Sequence, residues 1–99
     1  MAKLRFTNKA VEDLTRIWEY TLDTWSETQA DAYYNMLVGL CRDLAESPTL
    51  GRTYEQVAED IRGMVAGKHI IFYKEVPDDA IEIIRILHGS TDLKHRIKE

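Results

Sequence analysis

Residues 10–29 hold two helix signals with no room for a loop between them. Ala10, Leu14, Ile17, Trp18, Thr21, Leu22 and Trp25 recur at spacings of three and four, which lines one side of a helix with apolar groups. Glu12, Asp13, Arg16, Glu19 and Asp23 fall on the other side. Ser26-Glu27-Thr28-Gln29 follows at once. It reads as a capping box, in which the serine oxygen accepts an amide three residues on and the glutamine reaches back. The helix it opens carries Ala30, Tyr33, Tyr34, Leu37, Leu40, Cys41 and Leu44 on one broad face and stops at Ser47-Pro48, because the residue before proline is pushed out of helical geometry. Helices joined this tightly fold back as an antiparallel hairpin.

The flanks read as strands. Lys3-Leu4-Arg5-Phe6-Thr7 alternates polar and apolar residues, as a half-buried strand does, and Thr7 or Asn8 caps the first helix. Beyond Gly51-Arg52, strands are expected at Ile61–Val65, His69–Val76 and Ile81–Leu87. Ala66-Gly67-Lys68 and Pro77-Asp78-Asp79 make the turns between them. Ile81–Leu87 is the most apolar and belongs inside the sheet. Gly89 ends it, and Leu93–Lys98 forms a short C-terminal helical turn. The expected order is β-α-α-β-β-β, an α+β domain with a helical hairpin packed on a small, mostly antiparallel sheet.

At 99 residues the chain makes one domain, residues 1–99. It has a modest core, so a partner that covers its exposed faces matters energetically. The formal charge is −4, unsuited to holding nucleic acid by phosphate neutralisation, so direct sequence-specific DNA binding by this chain alone is not expected. The charge is uneven: residues 26–60 carry net −5 and residues 61–99 net +1. One cysteine, Cys41, leaves no disulfide framework and no multi-cysteine zinc site. Lys3, Arg5 and Lys9 precede charged, helix-patterned sequence rather than an apolar signal core. The longest uncharged stretch, Ala32–Cys41, is about half of a ~20-residue membrane span. A soluble cytoplasmic protein is expected, with no membrane contact.

The motifs AVEDL in the first helix, LAESPTLGR leaving the second, IRGMVAGKHIIFYK across the first hairpin and IIRILHGSTDL near the end resemble, in order, those of the ParE branch of the RelE/ParE toxin superfamily. The resemblance covers nearly the whole chain. It implies the toxin of a type II toxin–antitoxin pair serving plasmid or chromosome maintenance. Such a toxin is neutralised in a hetero-oligomer with a ParD-like antitoxin and causes growth arrest by trapping DNA gyrase in its DNA-cleaved state. Lys68-His69 stands where an aromatic residue or arginine is common in that family, and Ser90-Thr91 where a bulkier residue often precedes the aspartate matched by Asp92.

On this reading the protein is not an enzyme and needs no cofactor. The residues expected to meet the target are Arg52, Arg62, Lys74, Arg85, His88, Lys94 and Arg96. Those expected to meet antitoxin are Trp18, Tyr33, Tyr34 and Tyr73, since tyrosines join contact area to a hydroxyl. Tyr20, Tyr33, Tyr54 and Tyr73 together exceed what the interior can hold. Arg52 fits two roles equally, bonding carbonyls at the helix end or pairing with an acidic partner side chain. The basic run Leu93–Lys98 is read as a patch that faces the target.

The sister RelE branch cleaves mRNA on the ribosome, and a RelE-like endonuclease is the alternative reading. That chemistry needs an acid–base pair and cations around the phosphate, for which Arg62, Arg85 and His88 are the candidates. Strand alternation sends Arg85 and His88 to opposite faces, and Arg85 also reads as the partner of Glu12 or Asp13 on the first helix. A third reading is a non-toxic module acting only as co-repressor with its antitoxin. His88 and His95 lack the spacing and further ligands of a metal site, and no metal is expected. His88 is better placed to bond the Gly89–Asp92 turn, and Cys41 acts as a small hydrophobe.

Overall fold

A computed structural model describes residues 2–90. The expected helical turn at Leu93–Lys98, with Lys94, His95 and Arg96, lies outside the described residues.

Strand β1 (Lys3–Phe6) leads into α1 (Asn8–Thr24), whose N-cap is Thr7; its hydroxyl accepts the Ala10 amide at 3.1 Å. Helix α2 (Glu27–Glu46) begins after Trp25 and Ser26, and the Ser26 hydroxyl accepts the Gln29 amide at 3.1 Å. The serine half of the capping box is therefore in place. Trp18 Nε1 donates to Asp31 Oδ1 at 3.0 Å and ties the two helices side by side.

The remaining strands are β2 (Arg52–Thr53), β3 (Arg62–Ala66), β4 (His69–Val76) and β5 (Ala80–His88). They form one five-stranded sheet in the order β1-β5-β4-β3-β2. β1 runs parallel to β5 and every other pair is antiparallel. The α+β architecture is the expected one. The two-residue β2 was not anticipated, because Arg52-Thr53 has no pattern of its own and is a strand only by pairing with Arg62 and Gly63. β5 is interior as expected, with partners on both sides.

Two clusters fill the interior. Leu14, Leu37, Cys41, Leu44, Ile71, Tyr73, Ile81, Ile83 and Ile86 pack between hairpin and sheet. Tyr54, Val57, Ile61, Ile70, Phe72 and Leu87 form the second. Ile70 and Phe72 alternate along β4 with Ile71 and Tyr73, so the clusters lie on opposite faces of the sheet. Residues 54–61 roof the second one, and Gly63 is what lets them down: a Cβ there would stand 2.5 Å from the Tyr54 ring.

β5 carries an extra residue. Phe72 faces Arg85 but Tyr73 faces Ile83, which leaves Ile84 as a bulge. β1 pairs with β5 only as far as Ile83. Asp13 of α1 takes over the edge beyond it: its Oδ2 accepts the Ile86 amide at 3.0 Å and Arg85 Nε at 2.9 Å, and its Oδ1 accepts Arg85 Nη2 at 3.1 Å. Both charges are buried, at 5% and 3% exposure. The expected helix–strand pairing of Arg85 thus falls on Asp13, and the expectation that Arg85 meets the target is corrected. A guanidinium sealed beneath α1 has no surface to offer.

Removing one member of a buried pair leaves the other charge uncompensated. Asp13→Ala is expected to lower unfolding free energy in urea by about 3–5 kcal/mol. The double variant Asp13→Leu/Arg85→Met is expected to recover a large part of that loss.

Candidate functional site

The apolar stripe of α1 outruns the sheet. Ala10 is fully buried and Leu14 nearly so, whereas Ile17 is half-buried and Tyr20 and Trp25 are 69% and 67% exposed. Where the hairpin leaves the sheet, a groove of about 840 Å³ opens. Ile17 and Tyr20 of α1, with Trp25 just past its end, form one wall, and Ala32, Tyr33 and Met36 of α2 the other. Its end is closed by the β3–β4 turn, Gly67-Lys68-His69, together with His88 at the end of β5.

That end is held as a unit. The Tyr33 hydroxyl accepts the Lys68 amide at 3.1 Å and lies 2.6 Å from His69 Nδ1. The Gly89 amide donates to the Lys68 carbonyl at 2.9 Å. The His69 and His88 rings meet edge to face, with centroids 5.5 Å apart, and His69 meets Tyr33 in the same way. His88 Nδ1 accepts the Ser90 amide at 3.2 Å and lies 2.7 Å from Ser90 Oγ, so His88 does bond the turn that follows it. Gly67 has φ +60°, and a Cβ there would sit 2.8 Å from the Tyr33 hydroxyl. Only glycine brings this turn so close to α2. Lys68-His69 and Ser90 come together here.

Burial lowers the pKa of His69 from its ordinary value; the neighbouring His88 adds to the effect and the Asp13 carboxylate opposes it. The Tyr33 hydroxyl has two acceptors within reach for its one proton, His69 Nδ1 and, at 3.3 Å, the Ala66 carbonyl.

The other expected site residues are scattered. Tyr33 is in the groove, but Tyr34 lines a separate hollow of about 190 Å³ with Phe6, Val11 and Val38. Trp18 is half-buried in its bond to Asp31. Tyr73 is fully buried and its antitoxin role is corrected: its hydroxyl donates to the Pro48 carbonyl at 2.7 Å and accepts the Gly51 amide at 2.9 Å, pinning the α2–β2 loop. Tyr54 is also inside, which leaves Tyr20 as the exposed member of its group. Arg52 stacks its guanidinium 4.7 Å over the Tyr54 ring, and it is Arg62 that bonds a loop carbonyl, that of Gly51, at 3.0 Å. Lys74 is half-buried on β4, in register with Glu82.

The endonuclease candidates do not converge on one another. Arg62 serves Gly51, Arg85 serves Asp13, and His88 lies on the groove rim with Ser90. Among the described residues no group of three histidine, cysteine or carboxylate side chains is placed to hold a metal. None of the described helices is long and apolar enough to cross a membrane. Tyr20, one of the tyrosines in excess of the interior, does line the groove, whereas sequence reading missed Ile17, Ala32, Met36, Gly67, Lys68 and His69 as groove residues. The available signal was the length of the α1 stripe, which exceeds what four residues of β1 and the end of β5 can cover.

Among the described residues, then, a helical hairpin stands on a small mixed sheet with an open, largely apolar groove beside it. Residues 4–93 match the family model for the ParE toxin of the type II toxin–antitoxin system parDE, and the chain belongs to that family. It is 32% identical over 94 residues to Toxin ParE1 of Caulobacter vibrioides, covering 95% of this chain and 96% of that one. It is 30% identical over 84 residues to Toxin ParE1 of Mycobacterium tuberculosis, covering 85% and 86%. Its fold matches a chain of the chromosomal ParDE system from P. aeruginosa with a TM-score of 0.77 at 20% identity, over 89% of this chain and 96% of that one. It matches a chain of the RelBE2 toxin–antitoxin complex from Mycobacterium tuberculosis with a TM-score of 0.61 at 19% identity, over 88% and 96%.

Because the folded state lowers the His69 pKa, protonation favours the unfolded chain. This contribution is whole above about pH 6.5, the unfolded value, and is lost as pH falls toward the lower folded value. Urea midpoints are expected to drop between pH 7 and 5, and His69→Gln is expected to flatten that drop.

Proposed function

We propose that this ParE-family toxin causes growth arrest in the cytoplasm by binding DNA gyrase and holding it in its DNA-cleaved state. In this reading a ParD-like antitoxin seated in the groove keeps it inactive. The observation that carries the non-catalytic part is the separate engagement of Arg62, Arg85 and His88, each by a different neighbour. A ribonuclease needs such groups around one phosphate. The antitoxin part is supported by the exposed aromatic and aliphatic walls of the groove, a surface of the kind that marks partner sites. It is supported too by the toxin–antitoxin systems to which the fold neighbours belong.

Purified gyrase supercoiling relaxed plasmid is expected to accumulate linear DNA after denaturation when this protein is added. Intact gyrase turnover in the presence of folded protein would overturn the mechanism and direct attention to ribosome-bound mRNA. In cells, Lys94→Glu/Arg96→Glu is expected to weaken growth arrest at least tenfold in plating efficiency while circular dichroism stays unchanged. Full arrest by that folded double variant would remove the basic end from target contact.

A further inference from the structure

We propose that the end of the groove formed by Lys68, His69 and His88 is a carboxylate-recognition site, selecting an antitoxin segment that carries an acidic side chain beside its apolar face. The inference rests on the reading of the groove as the antitoxin seat.

Charge is the first argument. The chain carries −4 overall, yet the formally charged residues lining the groove are Arg16 and Lys68, both cations. An apolar trough with cations along it and, among the described residues, no lining carboxylate complements an amphipathic acidic segment. A second copy pairing groove to groove about a two-fold axis would bring cations against cations.

Geometry is the second. Two imidazoles stand 5.5 Å apart at the end where Lys68 sits. Each has Nδ1 engaged inside the protein, with Tyr33 for His69 and with Ser90 for His88. His88 Nδ1 accepts the Ser90 amide, which leaves its ring proton on Nε2 as a donor for an incoming oxygen, and a protonated His69 donates from Nε2 as well. The backbone bonds of Lys68 to Tyr33 and Gly89 fix these donors relative to α2 and β5, so little ordering is needed at binding.

The site also titrates. The groups around the histidines are Asp13 and Arg16 from α1, Tyr33 from α2, Lys68 from the turn and the second imidazole from β5. Asp13 is engaged by Arg85. In the free toxin, burial and the neighbouring ring lower the His69 pKa, with the Asp13 carboxylate opposing them. A bound carboxylate reverses this by favouring the imidazolium. The complex therefore takes up a proton. Affinity rises as pH falls through the complex's histidine pKa and levels off below that of the free toxin.

The test is calorimetric titration with the antitoxin encoded by the adjacent gene, at pH 6 and pH 8, in buffers of different ionisation enthalpy. Binding is expected to be about three- to tenfold tighter at pH 6, with proton uptake, and Lys68→Glu is expected to weaken it about tenfold. His69→Gln/His88→Gln, its fold checked by circular dichroism, is expected to bind without pH dependence. Ala32→Trp, which fills the groove from an exposed helix position, is expected to abolish binding. Equal affinity at both pH values together with a silent Lys68→Glu, while Ala32→Trp still blocks, would overturn the carboxylate site and leave the groove reading standing. Unchanged affinity in Ala32→Trp would overturn the groove reading and this inference with it. Antitoxin-free dimers that Ala32→Trp dissociates would assign the groove to a second copy and overturn the proposal as well.

Discussion

Asp13 sits where three demands meet. β1 leaves β5 after Ile83, the bulge at Ile84 displaces the strand, and the Arg85 guanidinium is carried under α1 with no route to water. One carboxylate answers all of them, accepting two bonds from the guanidinium and one from the Ile86 amide. The attraction between two such charges is offset by the desolvation of both, so the pair is poor evidence for extra stability. Its contribution is to register: α1 can lie across β5 at one position only. The Thr7 cap, whose hydroxyl also donates to the Ile84 carbonyl at 2.7 Å, fixes the start of the helix on the same strand. With α1 so fixed, α2 follows through the tight link at Trp25-Ser26, and the place where the hairpin leaves the sheet is determined.

The groove is a direct result of that placement. Leu14 and Ala10 spend the near part of the α1 stripe on the core, and Tyr20 and Trp25 carry the far part into solvent. For a domain of this size, whose own core yields little surplus stability, a ligand bound there adds RT ln(1 + [L]/Kd) to the folded state. Free and bound forms should therefore differ in resistance to unfolding as well as in access to a target.

The elements that could be read from the sequence were those specified locally. Thr7 and Ser26 cap the helices they were expected to cap, and the turns at Gly67 and at Asp78-Asp79 use the left-handed backbone that their residues tolerate. What escaped was set by distant pairing. Arg52-Thr53 is a strand only because Arg62 and Gly63 lie beside it. Tyr73 looked like an interface residue because nothing near it in sequence shows that Pro48 and Gly51 will engage its hydroxyl. Arg85 could be read both as a surface cation and as a helix partner, and only the depth of Asp13 decides between them. The groove's far end joins residues 33, 67–69 and 88, which no single motif contains.

The margins of the sheet have a consequence of their own. On one side β2 offers two residues, Arg52 and Thr53, both exposed and polar, with a guanidinium stacked above the edge. On the other, β1 is four residues long, with charged Lys3 and Arg5 exposed along it. Short, charged margins are poor templates for strand addition. A copy that has lost its partner exposes aromatic surface at the hairpin but little backbone onto which another copy could grow. Its solitary state is thereby protected from aggregation by the same brevity of β2 that hides the strand from the sequence.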